Sequence, residues 1–348
     1  MVKLKVIGNR SQAFIIIILL FLASCGSKSH KETGFEQVQD TTPLGRQIAE
    51  VSLKIGEDPS AALFYERAKL HMQRMDVANA MLDMEKVMSM DTTKADYFLT
   101  LADVHLGASK PGKSKAALEK CLSLDPKNKL AYEKLAELYF LVQQYKESLA
   151  NLDEVLKLDI TNPKAYFMKG MCYRDLGDTT KAISSFQTAI EQKPEYYEPY
   201  MQLALIHHAR NNKLALQYYD GALRVNPKSV EALYNRGLFY QENERNYDKA
   251  IQDYTSAVQI SPNYAMAHYA LGFIHFQYLK VSDQAVKHYS DAIKADSTWP
   301  EAYFNRGLAF ETMGNIAAAN ADYTKALSLR PDYANAQKAS VRVNQPVK

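Results

Sequence analysis

The sequence predicts an all-α solenoid of about eight helix-turn-helix repeats, and three observations lead to this fold class. Similar segments recur with one constant period, small and bulky side chains alternate at fixed positions, and proline recurs near the end of the period. A repeat of roughly 34 residues is one supersecondary unit, which buries its apolar face by stacking on its neighbours. The predicted units are 61–94, 95–128, 129–162, 163–196, 197–229, 230–264, 265–299 and 300–333.

The period is visible when segments are compared directly. The stretch EALYNRGL begins at Glu231 and EAYFNRGL begins at Glu301, and Lys-Ala-Ile occurs at both Lys181 and Lys249. The fifth unit is one residue short and the sixth and seventh are one residue longer. In the position numbers used below, the missing or additional residue of these units is assigned to the turn between the two helices.

Two columns of the repeat explain why each unit must be a pair of helices. Position 8 is small in every unit: Ala68, Ala102, Ala136, Gly170, Ala204, Gly237, Gly272 and Gly307. Position 24 is bulky in every unit: Met84, Leu118, Leu152, Phe186, Tyr219, Tyr254, Tyr289 and Tyr323. A small residue lets two helix axes approach closely, and a bulky one facing it fills the space between them.

Proline marks the end of most units. It stands at position 32 in five of them: Pro126, Pro194, Pro227, Pro262 and Pro331. Proline cannot continue a helix, so it ends the second helix and fixes the turn into the next unit.

These columns resemble the tetratricopeptide repeat, and the resemblance covers residues 61–333. It implies a superhelix whose first helices line a concave groove. In this family, positions 5, 6 and 9 tend to face that groove. From the fourth unit onward these positions give the predicted partner-binding residues: Phe167, Met171, Met201, Leu205, Tyr234, Asn235, Leu238, Tyr269, Phe273, Phe304, Asn305 and Leu308.

The composition of this face indicates the kind of partner. A row of Met and aromatic residues suits an apolar peptide or helix, and the two asparagines offer amide groups to an extended backbone. Earlier units are more acidic on the same face, with Asp96, Asp103, Glu133 and Glu137. An alternative stays open, in which positions 5 and 9 pack against the neighbouring unit instead of binding a partner.

The N-terminus carries a second resemblance. Lys3, Lys5 and Arg10 precede an apolar run over residues 13–23, which is too short for a membrane span of about 20 residues. The run ends in Leu22-Ala23-Ser24-Cys25, which resembles a bacterial lipobox. The resemblance implies a signal peptide over 1–24 and lipid attachment at Cys25. The glycine that follows Cys25 favours the outer membrane of the cell envelope.

The remaining segments are short. Residues 25–43 carry the lipidated cysteine and a polar, flexible tether, and residues 44–60 contain a short helix. Residues 334–348 form a closing helix and a tail. The repeats occupy 61–333, so the chain offers no room for a catalytic domain and is predicted not to be an enzyme.

Other ligand classes are disfavoured. A net charge of +3 on 348 residues is too weak to indicate nucleic acid binding. No cofactor motif is present, and no metal site is predicted, because the histidines at positions 4 and 11 look like substitutes for aromatic packing residues: His71, His105, His207, His268 and His275. Cys121 and Cys172 are expected to be buried free thiols.

The sequence therefore predicts a non-catalytic scaffold, a lipid-anchored envelope protein that holds other envelope proteins in its groove. Two alternatives remain at this point. The groove can serve a glycan or cell-wall fragment, or the array can be the regulatory arm of a separately encoded enzyme.

Overall fold

The computed structural model describes residues 42–345, which form an all-α chain of consecutive helix-turn-helix pairs. The predicted fold class is thereby confirmed. The predicted signal peptide, Cys25 and nearly all of the tether lie outside the described residues, as do residues 346–348. None of the helices within 42–345 combines the length and the apolar character needed to cross a membrane.

Eighteen helices lie within the described residues, and α1 (Pro43–Glu57) precedes the first pair. The first four pairs are α2 (Ala61–Gln73) with α3 (Val77–Met90), α4 (Ala95–Gly107) with α5 (Pro111–Leu124), α6 (Lys129–Leu141) with α7 (Tyr145–Leu158), and α8 (Pro163–Asp175) with α9 (Thr179–Gln192). The next four are α10 (Tyr197–Ala209) with α11 (Leu214–Val225), α12 (Val230–Phe239) with α13 (Tyr247–Ile260), α14 (Ala265–Gln277) with α15 (Ser282–Ala295), and α16 (Pro300–Thr312) with α17 (Ile316–Leu329). A last helix, α18 (Ala334–Val343), follows. The pairs are called repeats 1 to 8 below.

The described chain divides into two compact units, 42–192 and 193–345. The first contains α1 and repeats 1 to 4, and the second contains repeats 5 to 8 and α18. Within each unit, a helix packs mainly on its pair partner and on the next helix along the chain.

Several of the first helices begin at residues that satisfy one of their free N–H groups. Side chains of Asn128, Asn162 and Ser229 each accept a hydrogen bond from the backbone N–H three residues later, at 3.1, 3.0 and 3.1 Å. Such capping side chains each contribute about 1 kcal/mol to helix stability.

The small residue at position 8 and the bulky residue at position 24 meet across each glycine-containing pair. A Cβ atom on Gly170 would lie 2.5 Å from the ring of Phe186, and one on Gly307 would lie 2.6 Å from the ring of Tyr323. Gly237 and Gly272 lie similarly close to their own position-24 tyrosines. These rings are fully buried, so the two helices of a pair interlock around them.

Each turn between paired helices contains one residue with positive φ, at position 15. The set is Met75, Ser109, Gln143, Gly177, Asn211, Arg245, Lys280 and Gly314. Only two of the eight are glycine, although the left-handed region is unfavourable for residues with a Cβ atom. The turn geometry is therefore imposed by the packing of the two helices rather than by local preference.

The extra residue of repeat 6 is absorbed without loss of register. Residues Tyr240–Glu244 form a π-helical turn that prolongs α12, and Arg245 then takes the left-handed conformation. A π turn accommodates one additional residue within a helix. The length slip seen in the sequence is thus confined to one end of one helix.

Repeats 1, 6 and 8 share a polar link that the sequence analysis did not identify. An arginine at position 7 makes a bidentate pair with a buried aspartate at position 23 of the partner helix: Arg67 with Asp83, Arg236 with Asp253, and Arg306 with Asp322. The third guanidinium nitrogen reaches the preceding helix, at Ser52, Asp220 and Ser290 respectively. Each arginine therefore fastens three consecutive helices.

The two thiols within the described residues are free and buried, as expected from their positions. Burial raises the pKa of both Cys121 and Cys172 to about 11. They are protonated and unreactive at neutral pH.

Candidate protein-binding surface

The structure divides the twelve predicted partner-binding residues into two equal groups. Six are buried: Met201, Tyr234, Asn235, Leu238, Tyr269 and Asn305. Six are partly exposed: Phe167, Met171, Leu205, Phe273, Phe304 and Leu308. The buried residues cannot contact a partner in this conformation. For them the structure agrees with the alternative, in which these side chains pack within the array.

At position 5 of repeat 7, the side chain is buried because two rings enclose it. Tyr269 lies 5.5 Å from the position-24 ring of Tyr289 in its own repeat and stacks on Trp299 with ring centroids 4.4 Å apart. Trp299 is the residue immediately before α16, so this contact joins repeat 7 to repeat 8. Position 5 thus forms a joint between consecutive repeats.

The same joint recurs in repeats 6 and 8. Tyr234 packs against Tyr254 and Tyr264, with both centroid distances 5.6 Å. Phe304 lies 5.8 Å from Tyr323 and 5.1 Å from Tyr333, although it stays partly exposed. In each case the second ring comes from the residue immediately before the helix that follows the repeat.

The two asparagines at position 6 are engaged inside the array. Asn305 Nδ2 donates a hydrogen bond to Tyr269 Oη at 2.5 Å, and Asn235 Nδ2 donates to the backbone carbonyl of Glu231 at 2.9 Å. One amide N–H of each asparagine is therefore used within the fold, and both side chains are buried, so in this conformation they do not offer their amides to a peptide backbone as expected.

The acidic residues of the earlier repeats also have partners. Asp103 pairs with Lys134 at 2.7 Å, and Glu137 pairs with Lys164 at 2.5 Å. Each pair joins one first helix to the first helix of the next repeat. Two of the four acidic residues of this face are thus paired with lysines within the array, and Glu133 accepts a hydrogen bond from Asn162.

What remains accessible is apolar. In the unit 193–345, Leu205, Phe273 and Leu308 occupy position 9 of repeats 5, 7 and 8 and are partly exposed. In the unit 42–192, Met171 occupies the same position and is likewise partly exposed, next to Phe167. We call the partly exposed position-9 side chains of the unit 193–345 the position-9 row. An apolar row on first helices is the surface by which an amphipathic helix or an apolar peptide is held.

A cleft of about 430 Å³ lies in the unit 193–345, between the turns that precede α14 and α16. It is lined by Tyr264, Ala265, Met266, Asp296, Thr298, Trp299, Pro300, Glu301 and Arg330. Its walls are therefore aromatic and apolar, with carboxylates and one guanidinium at the edge. None of these residues was predicted as a binding residue. Met266 and Glu301 occupy position 2 of repeats 7 and 8, which was not among the positions used to predict binding residues.

The charged groups of the cleft are partly paired. Arg330 Nη2 lies 2.7 Å from Glu301 Oε1, and this hydrogen bond raises the pKa of Arg330. Burial raises the pKa of Tyr264 to about 12, so its hydroxyl is neutral at physiological pH. Asp296 is the carboxylate of the cleft that accepts only local hydrogen bonds, from the N–H and hydroxyl of Thr298.

Comparison with known proteins agrees with this architecture. Family models described as TPR repeat or tetratricopeptide repeat match residues 99–163, 163–196, 218–252, 246–277 and 300–333. These matches cover parts of repeats in both compact units. The chain is a tetratricopeptide repeat protein.

Solved structures and a curated relative are similar to this chain over different lengths. The C-terminal part of a TPR repeat-containing protein from Cytophaga hutchinsonii aligns with a TM-score of 0.61 at 16% identity, over 69% of this chain and 98% of that chain. A tetratricopeptide repeat protein from Parabacteroides merdae gives 0.49 at 17% identity, over 72% and 99%. A UDP-N-acetylglucosamine–peptide N-acetylglucosaminyltransferase from Giardia intestinalis is 40% identical over 67 residues, which are 19% of this chain and 4% of that enzyme. The Cytophaga structure supports the fold alone.

Proposed function

We propose that this protein is a non-catalytic scaffold that holds an apolar peptide or helix of a partner protein on the first helices of its repeats. The observation that carries the proposal is the position-9 row, in which Leu205, Phe273 and Leu308 stay partly exposed while most neighbouring apolar side chains are buried. The row is interrupted at repeat 6, where Leu238 is buried, but partly exposed apolar residues at the same position of several first helices are typical of protein-binding surfaces.

We further propose that the scaffold belongs to the bacterial cell envelope and is anchored by a lipid on Cys25. The support for this is the basic start, the apolar run and the lipobox-like ending of the segment that precedes and includes Cys25. Two or more acyl chains on one cysteine give stable membrane anchoring, because each buried CH₂ contributes about 0.8 kcal/mol. The partners are then other proteins of the envelope.

Site-specific photo-crosslinking tests the binding surface. A photoreactive amino acid is placed at Phe273 or Leu308 in the full chain, expressed in its own host, and crosslinked adducts are identified after irradiation. The matched control carries the same amino acid at Met313, which is exposed but lies at the end of α16, away from position 9. We expect defined protein adducts from the two row positions and none of these from the control.

The opposite pattern would contradict the surface proposal. If the row positions give no protein adducts, or only those also seen from Met313, the position-9 row is not the binding surface. Crosslinking at the position-9 row is a sharper test than alanine variants of Tyr234 or Tyr269. These tyrosines are buried, so replacing them would disturb the fold itself.

The anchor has a separate test. The substitution Cys25→Ala should abolish metabolic labelling with a radioactive fatty acid and release the protein from the membrane fraction or trap its precursor. Unchanged fractionation without any acyl label on the wild-type chain would refute the lipid anchor and leave the surface proposal intact.

The cleft favours a second candidate function, the binding of a glycan or cell-wall fragment. Its aromatic walls, Tyr264 and Trp299, and its carboxylates are groups that can stack on and hydrogen-bond to sugar rings. Trp299 is the single tryptophan of the chain, so its fluorescence reports on the cleft and on the stacking contact with Tyr269. A saturable change in emission with purified peptidoglycan fragments would support this candidate, and an unchanged spectrum would eliminate it.

A third possibility is that the array is the regulatory arm of a separately encoded enzyme. Stoichiometric co-purification of an enzyme with the wild-type chain, lost on disruption of the position-9 row, would distinguish this role from that of a passive scaffold.

A further inference from the structure

Repeat 7 differs from the other repeats at four positions that face each other between its two helices. These are positions 4 and 11 of the first helix and positions 23 and 26 of the second. Repeat 7 carries His268, His275, His288 and Asp291 there, which are all residues that bind metal ions. No other repeat of the sequence has a histidine or an acidic residue at all four positions.

Repeat 5 shows what the same positions look like as ordinary packing. Tyr200, His207, Tyr218 and Gly221 occupy them. The ring of His207 stacks on Tyr218 at 5.3 Å, and Tyr200 lies over Gly221. In repeat 7 the two tyrosines are replaced by histidines and the glycine by an aspartate, so a packed aromatic cluster becomes a cluster of nitrogen and oxygen donors.

The polar link of repeats 1, 6 and 8 is also absent from repeat 7. Position 7 is Leu271 instead of arginine, and position 23 is His288 instead of aspartate. Within residues 42–345, no group hydrogen-bonds to His288 Nδ1, which is buried. Buried ring nitrogens without a partner also occur among the described residues at His105 and His207, so the convergence of donor atoms at His288 is what distinguishes repeat 7.

The donor atoms of three residues converge. One ring nitrogen of His268, one of His288 and a carboxylate oxygen of Asp291 lie within 4.8 Å of one another. His268 Nδ1 and Asp291 Oδ2 are 3.9 Å apart, which is too long for a hydrogen bond. Two ligands of a tetrahedral zinc ion are separated by about 3.3 Å, given metal–ligand distances of about 2.0–2.1 Å. The observed separations therefore approach those of a metal-ligand set.

The hydrogen bonds around the cluster leave the required nitrogen free. His268 Nε2 lies 2.9 Å from the backbone carbonyl of Pro262, which can only accept a hydrogen bond, so this nitrogen carries the proton. Nδ1 of the neutral ring then holds a lone pair, and it is buried without a hydrogen-bond partner among the described residues. Metal-binding histidines usually donate their other N–H to a carbonyl or a carboxylate in this manner.

A third histidine, His275, lies next to this cluster. Its Nδ1 lies 2.8 Å from the carbonyl of Leu271, and its ring centroid is 5.1 Å from that of His288. The centroid of the His268 ring lies 6.3 Å from that of His288, so His288 lies between the two other histidines.

We propose that repeat 7 contains a divalent transition-metal site, with zinc as the best match, formed by His268, His288 and Asp291. Two nitrogen ligands and one oxygen ligand suit this ion, and water can take the fourth tetrahedral position. The ion joins α14 to α15 and so provides the link between paired helices that an arginine and an aspartate provide in repeats 1, 6 and 8.

Titration of the purified full chain with zinc tests the site. The metal-free protein is titrated with zinc sulfate by calorimetry, and with cobalt(II) by visible absorption, whose intensity distinguishes tetrahedral from octahedral coordination. We expect one zinc ion per chain at this site, tetrahedral cobalt absorption, and a higher melting temperature with zinc. The variants Asp291→Asn and His268→Phe should each weaken zinc binding at least tenfold.

The variants are chosen to separate ligand loss from unfolding. Phenylalanine is the native residue at position 4 of repeats 1 and 2, and Asp291→Asn changes one partly exposed atom. His207→Phe is the matched control, since it removes a buried histidine at position 11 of repeat 5 and should leave zinc affinity unchanged. The proposal is overturned if the wild-type chain binds no zinc, or if both Asp291→Asn and His268→Phe bind it as tightly as the wild type.

Discussion

The glycine at position 8 illustrates how single atoms determine the spacing of the helices. In repeats 4, 6, 7 and 8 a glycine lies against the aromatic ring at position 24, and the ring fills the space that a methyl group would need. In repeats 2 and 3 the same positions hold alanine and leucine. In these six repeats the two combinations have similar total volume, which indicates that the pair of residues, rather than either one alone, is matched; repeat 5 departs from this rule, since Ala204 is combined with Tyr219.

Gly170→Ala is therefore expected to lower the free energy of unfolding. The added Cβ atom would lie 2.5 Å from the ring of Phe186, and overpacking of this kind costs about 1–3 kcal/mol. Urea denaturation followed by circular dichroism measures the effect. Gly112→Ala is the control, because a Cβ atom there meets nothing within 4 Å and alanine is the better helix former by about 0.5–1 kcal/mol.

The double variant Gly170→Ala with Phe186→Leu reproduces the combination found in repeats 2 and 3. Its loss of stability should be clearly smaller than the sum of the two single losses, because the leucine leaves room for the new methyl group. Additive losses would contradict the volume-matching explanation.

The sequence could predict the column to which each proposed binding residue belongs, but not its packing partners. Helical spacing correctly grouped Tyr234, Tyr269 and Phe304 in one column, but it could not show that each packs against a ring from the start of the next helix pair or of α18. Those rings, Tyr264, Trp299 and Tyr333, lie almost a full repeat further along the chain, and their approach depends on how consecutive repeats stack. The three proposed ligands of repeat 7 were not grouped for a related reason: His268 was interpreted as a packing residue, and His288 and Asp291 gain meaning only when they face it across the helix pair.

Within a helix pair, the turn is the element whose backbone conformation is least favoured by its own residues. Position 15 adopts a left-handed conformation in all eight repeats, yet six of these residues carry a Cβ atom. The helices themselves were predictable from their residues because columns, caps and prolines agree. The π-helical turn of repeat 6 was not, since the sequence shows only that one residue is added and not where the backbone accommodates it.

Gln143→Gly should raise the free energy of unfolding by about 1 kcal/mol, because glycine adopts the left-handed conformation without the steric cost that a Cβ atom carries. Gln143 has a φ of 61°. Its backbone N–H still donates to the carbonyl of Phe140 after the substitution. Thermal and urea denaturation measure the gain.

The reverse substitution is the control for the turn. Gly177→Gln places a side chain at the equivalent position of repeat 4, where φ is 82° and no atom lies within 4 Å of the new Cβ. It should lower the stability by a similar amount through backbone strain alone. If both variants are as stable as the wild type, left-handed strain does not limit the stability of these turns.

For the whole molecule, buried neutral histidines predict sensitivity to acid. Burial lowers the pKa of His105 and His207, and it lowers that of His208 to about 4. Such groups take up a proton on unfolding at a pH below about 6.5, which is the pKa of an exposed histidine. The unfolded state then binds more protons, so stability falls as the pH is lowered from about 6.5 to 4.

His208→Asn should make this pH dependence shallower. An asparagine amide can take the place of the ring nitrogen Nδ1, which lies 3.0 Å from the hydroxyl of Tyr219. Removing one proton-binding group reduces the slope of unfolding free energy by up to about 1.4 kcal/mol per pH unit between pH 4 and 6.5. Urea denaturation at several pH values, with a chelator present, measures it. Parallel profiles for the two proteins would contradict the prediction.

The fold class was predictable because the same columns occur eight times, so that errors at single positions average out. The proposed binding surface was only partly predictable, since it consists of what stays uncovered after repeats have packed on one another. Met171, Leu205 and Phe273 stay partly exposed, whereas Leu238 at the equivalent position of repeat 6 is buried. That difference depends on local contacts, which cannot be predicted from the sequence of a single repeat.

The arginine link of repeat 1 has a mechanical consequence for the N-terminal anchoring proposed above. A pulling force applied through the proposed tether would reach α1 first. Arg67 reaches Ser52 on α1 and, at the same time, Asp83 on α3, while its own backbone belongs to α2. Through these hydrogen bonds a load on α1 is shared with α2 and α3.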